Sequence, residues 1–192
     1  MHDLILASTS PYRRELLARL GLPFRAIAPR IDEESLKDSA VAPQDLAERL
    51  AEAKAVSLSA VEPNATILGS DQVAACDGKI LGKPGTAAAA TAQLEFLAGR
   101  SHRLITAICI WHRGRLLRHT DVTTMTMRRL TAAEIARYVS ADQPFDCAGS
   151  YKLESRGVTL FSEIRSDDHT AIIGLPLIAL TTLLRSLGCQ IP

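Results

Sequence analysis

Apolar residues recur along the chain with two different periods, and these periods separate strands from helices. Short apolar or alternating runs, typical of strands, lie at residues 4–8, 24–29, 65–76, 102–112, 114–127 and 157–164. Segments whose apolar residues return every three or four positions, typical of helices, lie at residues 11–20, 43–59, 86–99, 131–141 and 175–188. Because the two kinds of segment alternate, the sequence predicts an α/β fold.

Two long predicted strands meet at Arg113 and Gly114, and this pair predicts a hairpin. Strands joined by a hairpin are antiparallel, so we expect a mixed sheet flanked by helices rather than a purely parallel one. The chain has 192 residues, of which 47% are hydrophobic. This is enough apolar surface for a full core, in one domain or two small lobes.

Charge and composition exclude several classes of partner. The formal net charge is +1, from 22 basic and 21 acidic residues, so we do not expect a nucleic-acid polymer. No stretch reaches the roughly 20 apolar residues of a membrane span, and the N-terminus lacks signal-peptide features, so we expect a cytoplasmic protein without a membrane partner. The four cysteines are far apart and predict reduced thiols, and the five histidines, which lack metal-ligand spacing, are expected at the surface.

Two arginines stand where the first helix begins. Ser10 and Pro11 predict the helix start, and Arg13 and Arg14 follow in its first turn. Cations are disfavoured there by the helix dipole, by about 0.3–1 kcal/mol each, but a strand that leads into a helix start directs backbone N–H groups towards an anion. Arginine forks suit phosphate oxygens. The arginines therefore indicate either a phosphate site or two side chains that simply extend into solvent.

Asp71 interrupts a run of residues that otherwise predicts a buried strand. A buried carboxylate costs several kcal/mol unless it is paired or bound to a metal. It can form an ion pair with Lys54 or Lys83, hold a metal ion, or act as a general base. Glu33 lies in a polar stretch, where a solvated loop acid is the alternative to a functional one.

Taken together, these charged residues have the composition of a polyphosphate site. Two arginines, two lysines and helix N–H groups can bind phosphate oxygens, and Glu33 with Asp71 can hold a divalent metal. Such a site suits phosphoanhydride hydrolysis, in which catalysis consists mainly of charge stabilisation and water positioning.

Six segments occur in this order along nearly the whole chain: LILASTSPYRRELL, IDE, AEAKA, GSDQVAACDGKILGKP, DCAGSYKLESRGVTLF and IIGLPLIAL. In their order and spacing they resemble the Maf family of nucleotide pyrophosphatases. The resemblance implies a single Maf-like domain over residues 1–192, with a fold like that of Maf and ITPase proteins: two lobes around a central cleft. It also implies a homodimer that hydrolyses nucleoside triphosphates to monophosphate and pyrophosphate with a divalent cation, Mg²⁺ or Mn²⁺.

The resemblance also assigns roles to individual residues. Asp71 would be the general base or would orient the attacking water, and it would share metal binding with Glu33. Phosphate binding would fall on Ser8, Arg13 and Arg14, and Lys54 and Lys83 would complete the positive charge.

Three further positions are similar to the YceF-type subgroup of this family, which acts on 7-methyl-GTP. They are Tyr12, Gln72 and Glu154, where many other members have an arginine at the first position and a threonine at the second. Methylation at N7 makes guanine cationic, and a cationic ring favours an aromatic face and a carboxylate over an arginine. Gln72 can hydrogen-bond a base edge. The alternative is a packed helix tyrosine and an exposed loop acid.

The resemblance therefore favours an enzyme that converts 7-methyl-GTP to 7-methyl-GMP and pyrophosphate and so clears a modified nucleotide. One alternative is the dTTP and UTP pyrophosphatase activity of the other Maf subgroup, against which Tyr12 and Gln72 argue. The other is a nucleotide-binding regulator of septum formation without turnover, against which Asp71, Glu33 and both lysines argue.

Overall fold

The computed structural model describes residues 3–36 and 41–191. These residues form seven strands, β1 to β7: Leu4–Ala7, Phe24–Ile27, Thr66–Cys76, Lys79–Leu81, Ser101–His112, Arg115–Met127 and Phe161–Arg165. They also form six α-helices, α1 to α6: Pro11–Ala18, Pro43–Val56, Ala87–Leu97, Ala132–Asp142, His169–Ile173 and Leu177–Ser186. Short 3₁₀ turns lie at Glu34–Leu36, Ala148–Ser150 and Arg156–Leu160. The polar stretch that contains Glu33, residues 30–39, lies partly outside the described residues.

The strands form one mixed sheet in the order β2-β1-β3-β5-β6-β7, with β4 paired to β3. Strand β1 runs parallel to both β2 and β3, whereas β7 is antiparallel to β6 and β4 is antiparallel to β3. At the β5–β6 connection Arg113 and Gly114 both have positive φ, 48° and 80°, as a two-residue hairpin turn requires. The predicted α/β class, mixed sheet and hairpin are confirmed.

Contacts divide the described chain into two units. The first contains residues 3–36, 41–72, 106–121 and 168–191, and the second contains residues 73–105 and 122–167. The single domain over residues 1–192 and the cleft stay predictions.

The first unit has a leucine-rich core on one face of the sheet. Helices α1 and α6 pack there against β1, β3 and β5, through residues that include Leu6, Leu17, Leu68, Ile110 and Leu180. Leu68, Ser70 and Gln72 share this face of β3, because side chains alternate along a strand.

The opposite face of β3 lies against α2, and Gly69 permits an unusually close approach. A Cβ atom at Gly69 would meet the Ala51 carbonyl oxygen and would lie 2.6 Å from the Ala55 nitrogen. Asp71 follows two residues later on the same face, so it also projects towards α2.

The second unit contains a buried cluster of aromatic side chains. His102 is 3% exposed, and its Nε2 lies 2.9 Å from the Tyr151 hydroxyl, with Phe161 packed against both rings. On the same strand, in the first unit, His112 is also buried, with Nδ1 2.9 Å from the Thr66 hydroxyl. The expectation of surface histidines is wrong for these two, because they occupy inward positions of β5.

The element predictions fail mainly near the C-terminus. The predicted strand at residues 157–164 begins instead as the 3₁₀ turn, because the Gly157 N–H donates to the Lys152 carbonyl (2.9 Å) within a loop rather than to a neighbouring strand. Strand β4 and helix α5 have no counterpart among the predicted elements. Helix α5 depends on its cap Asp168, whose carboxylate accepts from the Thr170 N–H at 2.8 Å.

Candidate active site

The connection from β1 to α1 is built around two serine hydroxyls. Ser10 is the N-cap of α1, and its hydroxyl accepts from the Arg13 N–H at 3.4 Å. The Ser10 N–H donates to the Ser8 hydroxyl at 3.1 Å, and Ser8 is buried. The helix begins with Pro11 and has no acidic residue in its first turn, so its N-terminal N–H groups and the arginines add positive charge at the same place.

Arg13 is fixed in place by a carbonyl far away in the chain. Its Nε donates to the Gly174 carbonyl at 3.2 Å, and the Ser70 hydroxyl donates to the same oxygen at 3.0 Å. Gly174 has a φ of +129°, and a Cβ atom there would lie 3.3 Å from Arg13 Cγ. Glycine therefore lets the chain turn so that this carbonyl faces the guanidinium.

Burial and two nearby carboxylates act on the Arg13 charge in opposite directions. Desolvation lowers the pKa of Arg13, whereas the negative charges of Asp71 and Glu33 raise it. The terminal nitrogens make no hydrogen bond to any described residue, so they remain available to an anion.

Arg14 and Tyr12 are the residues on either side of Arg13 in the chain. Arg14 is exposed and makes no ion pair within the described part of the chain. Tyr12 is half-buried at the second position of α1. Of the two predicted phosphate-binding arginines, the structure fixes Arg13 and leaves Arg14 on the surface.

A buried lysine joins two of the predicted carboxylates. The Lys54 ammonium lies 2.6 Å from Asp71 Oδ1 and 3.0 Å from Glu33 Oε1. Lys54 is 5% exposed and Asp71 is 8% exposed, whereas the Glu33 side chain is 43% exposed. Among the alternatives for Asp71, the structure contains the ion pair with Lys54.

This pairing follows from local structure. Lys54 lies in the last turn of α2, where the helix dipole favours a cation. The close approach at Gly69 brings α2 against β3 at the position from which Asp71 projects. The two cations Lys54 and Arg13 and the two carboxylates form one charge-balanced group inside the first unit.

The two carboxylates suit a divalent cation of the magnesium type, which binds proteins through one or two carboxylates and completes its shell with water and phosphate oxygens. The described residues contain no cluster of three or more potential metal ligands.

Gln72 faces the other side of β3 from Asp71, towards α5. Its amide nitrogen donates to the carbonyls of Ala171 (2.9 Å) and Ile172 (3.1 Å) and to the Thr106 hydroxyl (2.9 Å). Carbonyl oxygens only accept, so this arrangement fixes which end of the amide is nitrogen. The Gln72 oxygen has no hydrogen-bond partner among the described residues, and it is the end that remains for a ligand.

Lys83 and Glu154 lie in the second unit. Lys83 is exposed in the turn between β4 and α3, where Gly85 has a φ of +70° and its N–H donates to the Phe145 carbonyl at 2.9 Å. Glu154 is exposed in a turn before the 3₁₀ segment at Arg156–Leu160, and desolvation raises the pKa of its carboxyl.

Sequence reasoning gave no role to Ser70 and Gly174, although both orient predicted residues. A glycine followed by Leu175 and Pro176 is a typical helix end, so the sequence indicates a turn at Gly174. It does not indicate that the Gly174 carbonyl contacts Arg13, because 161 positions separate the two residues.

Residues 3–187 match the family described as Maf-like protein. A protein of Bdellovibrio bacteriovorus named 7-methyl-GTP pyrophosphatase is 50% identical over 184 residues, which is 96% of each chain. A protein of Xanthomonas oryzae pv. oryzae with the same name is 50% identical over 192 residues and covers 100% of both chains.

A solved structure supports the fold alone. A HAM1 protein from Coxiella burnetii superposes with a TM-score of 0.53 at 15% identity, covering 97% of this chain and all of the other. In the described residues no helix is long and apolar enough to cross a membrane. Given a family match over almost the whole length and half-identical full-length relatives, the chain belongs to the Maf family.

Proposed function

We propose that this protein is a nucleotide pyrophosphatase that hydrolyses the α–β phosphoanhydride of 7-methyl-GTP to 7-methyl-GMP and pyrophosphate. The family and the names of its relatives support the reaction class. The observation that carries the proposal is the buried Lys54 ammonium between Asp71 and Glu33, beside the fixed guanidinium of Arg13.

The two carboxylate oxygens of Asp71 differ in their hydrogen bonding. Lys54 holds Oδ1, while Oδ2 has no hydrogen-bond partner among the described residues. We assign Oδ2 as the acceptor of the proton from the attacking water, which forms a new P–O bond while the anhydride P–O bond breaks and pyrophosphate leaves. The guanidinium groups of Arg13 and Arg14 and the ammonium groups of Lys54 and Lys83 would offset the phosphate charge. The Ser8 hydroxyl would donate a hydrogen bond to a phosphate oxygen.

Glu33 and Asp71 would hold Mg²⁺ or Mn²⁺ together with the substrate. When bound, the cation supplies positive charge to the phosphates and lowers the pKa of water. Family resemblance further predicts a homodimer, which size-exclusion chromatography would test. The sequence pattern predicts a cytoplasmic location, which cell fractionation would test.

Selection of 7-methyl-GTP over other nucleotides would depend on recognition of its positively charged nucleobase. The ring face of Tyr12 and the carboxylate of Glu154 suit the positive charge of N7-methylguanine. The Gln72 oxygen, held by the amide's bonds to α5, suits the N–H donors of the base edge.

The test is pyrophosphate release with Mg²⁺ from 7-methyl-GTP, GTP, dTTP, UTP and CTP, with Asp71→Asn as the inactive variant. Asp45→Asn, at an exposed position of α2, is the matched control. Preference for 7-methyl-GTP that only Asp71→Asn abolishes supports the proposal. Preference for dTTP or UTP would retain the chemistry and refute the specificity, and nucleotide binding without release would favour a regulator.

A further inference from the structure

Gln93 places an amide on the inward side of α3. Ala90, Leu94 and Leu97 on the same side of the helix are buried, and Gln93 itself is half-buried. The oxygen end of the amide faces the buried Ser150, where an unpaired amide oxygen would cost free energy, whereas the nitrogen end lies at the surface beside Gly82.

Both ends of the Gln93 amide are paired, with two different segments of the second unit. Its nitrogen donates to the Gly82 carbonyl at 3.0 Å, and its oxygen accepts from the Ser150 hydroxyl at 2.6 Å. Because a carbonyl oxygen only accepts, the orientation of the amide is fixed. Ser150 is fully buried, so its hydroxyl has no water to replace Gln93.

Each of these segments carries a residue with a proposed role. Gly82 directly precedes Lys83, and Ser150 opens the stretch that leads to Glu154. Gly149 and Ser150 have φ values of +77° and +63°. A non-glycine residue in this conformation persists only where its surroundings hold it, and the Gln93 bond is one such contact.

We infer that Gln93 is a positioning residue that fixes the spacing between the Lys83 turn and the Ser150–Glu154 segment and thereby contributes to selection of 7-methyl-GTP over GTP. This inference rests on the proposed function. Within one nucleotide the base and the phosphates have a limited range of separations, so groups that bind them gain from a fixed spacing. GTP lacks the ring charge that Glu154 would recognise, so its turnover depends less on this spacing.

The experiment compares Gln93→Met, which keeps the side-chain length and removes both hydrogen bonds, with Ser150→Ala, which removes the partner. Gln44→Met is the control, because Gln44 is exposed on α2 and also loses one side-chain bond, to Glu48. The readout is the ratio of kcat/KM for 7-methyl-GTP to that for GTP. We expect this ratio to fall at least fivefold in both test variants and to stay constant in the control.

A second readout does not depend on turnover. The Gln93 amide bonds both the Gly82 carbonyl and the Ser150 hydroxyl, so Ser150→Ala should raise amide hydrogen exchange at residues 82–86 as well as at 148–154. An unchanged selectivity ratio in either folded test variant overturns the inference, and if Gln93→Met does not fold, Ser150→Ala decides. If the unmodified protein hydrolyses neither nucleotide, the proposed function fails, and unchanged exchange at 82–86 then refutes the positioning role separately.

Discussion

Replacing Lys54 by methionine is the sharpest test of the charged group in the first unit. Methionine has a similar length and packs well, so the change removes the ammonium and little else. The carboxylates of Asp71 and Glu33 then lose the cation that lies 2.6 and 3.0 Å from them.

The two pairs contribute unequally because their burial differs. Lys54 and Asp71 are both nearly inaccessible to solvent, and removing one partner of a buried ion pair costs about 3–5 kcal/mol. The Glu33 side chain is 43% exposed, and a solvent-screened pair of this kind adds only about 0–1 kcal/mol. We therefore expect Lys54→Met to lower the free energy of unfolding by about 3 kcal/mol. For a chain of this size the corresponding decrease in Tm is about 6–12 °C.

Urea unfolding at neutral pH, followed by circular dichroism, measures this loss, and Asp71→Asn completes a double-mutant cycle. The double variant has no unpaired carboxylate at position 71, so it should be more stable than the sum of the single losses predicts, by at least about 1 kcal/mol. Lys79→Met, at an exposed lysine whose ammonium lies 5.0 Å from the centre of the Phe96 ring, should lose at most about 1 kcal/mol. A loss below about 1 kcal/mol for Lys54→Met, or strict additivity, would refute the reasoning.

Three further predictions follow from other contacts. Arg13→Lys removes the planar guanidinium that donates to the Gly174 carbonyl and should lower kcat/KM about 10- to 100-fold without unfolding the protein. Steady-state kinetics measures this loss, and a normal circular dichroism spectrum shows that the variant is folded. An unchanged kcat/KM would contradict the prediction. Gly69→Ala forces a methyl group into the backbone of α2 near Ala51 and should cost about 1–3 kcal/mol of stability and part of the activity; a fully stable, fully active variant would show that the close approach is unnecessary. Burial lowers the pKa of His102 to about 4, below its unfolded value of about 6.5, so the unfolded chain binds more protons between these two pH values. The free energy of unfolding should therefore fall by up to about 3 kcal/mol as the pH drops from 6.5 to 4. Urea titrations at pH 7 and pH 5 measure this loss, and His102→Phe should reduce it.

Much of the fold could be predicted from local pattern. The α/β class and the β5–β6 hairpin rest on periodicity and on the Arg113-Gly114 pair, which are properties of neighbouring residues. Strand β4 and helix α5 are only 3 and 5 residues long, too short for a period to be read from them. The segment from Arg156 to Leu160 has the composition of a strand but folds as a 3₁₀ turn, since its partner for Gly157 is a loop carbonyl.

The candidate site was likewise predictable in part from the sequence. The sequence identified Asp71 as a buried acid in need of a partner and offered Lys54 as one choice, but it also offered Lys83. Only the close packing at Gly69, which brings the last turn of α2 against β3, selects Lys54. The same packing explains why Lys54, although charged, is buried.

The sequence by itself determined which chemical groups the protein can use and which family it resembles, because residue types and their spacing are local properties of the chain. The tertiary structure decided which of those groups meet. Contacts such as Arg13 with the Gly174 carbonyl, 161 positions apart, and Gln93 with both Gly82 and Ser150 depend on side-chain packing between distant segments. No period or motif encodes those distances, since a hydrogen bond is set by ångström-scale geometry that only the folded core fixes.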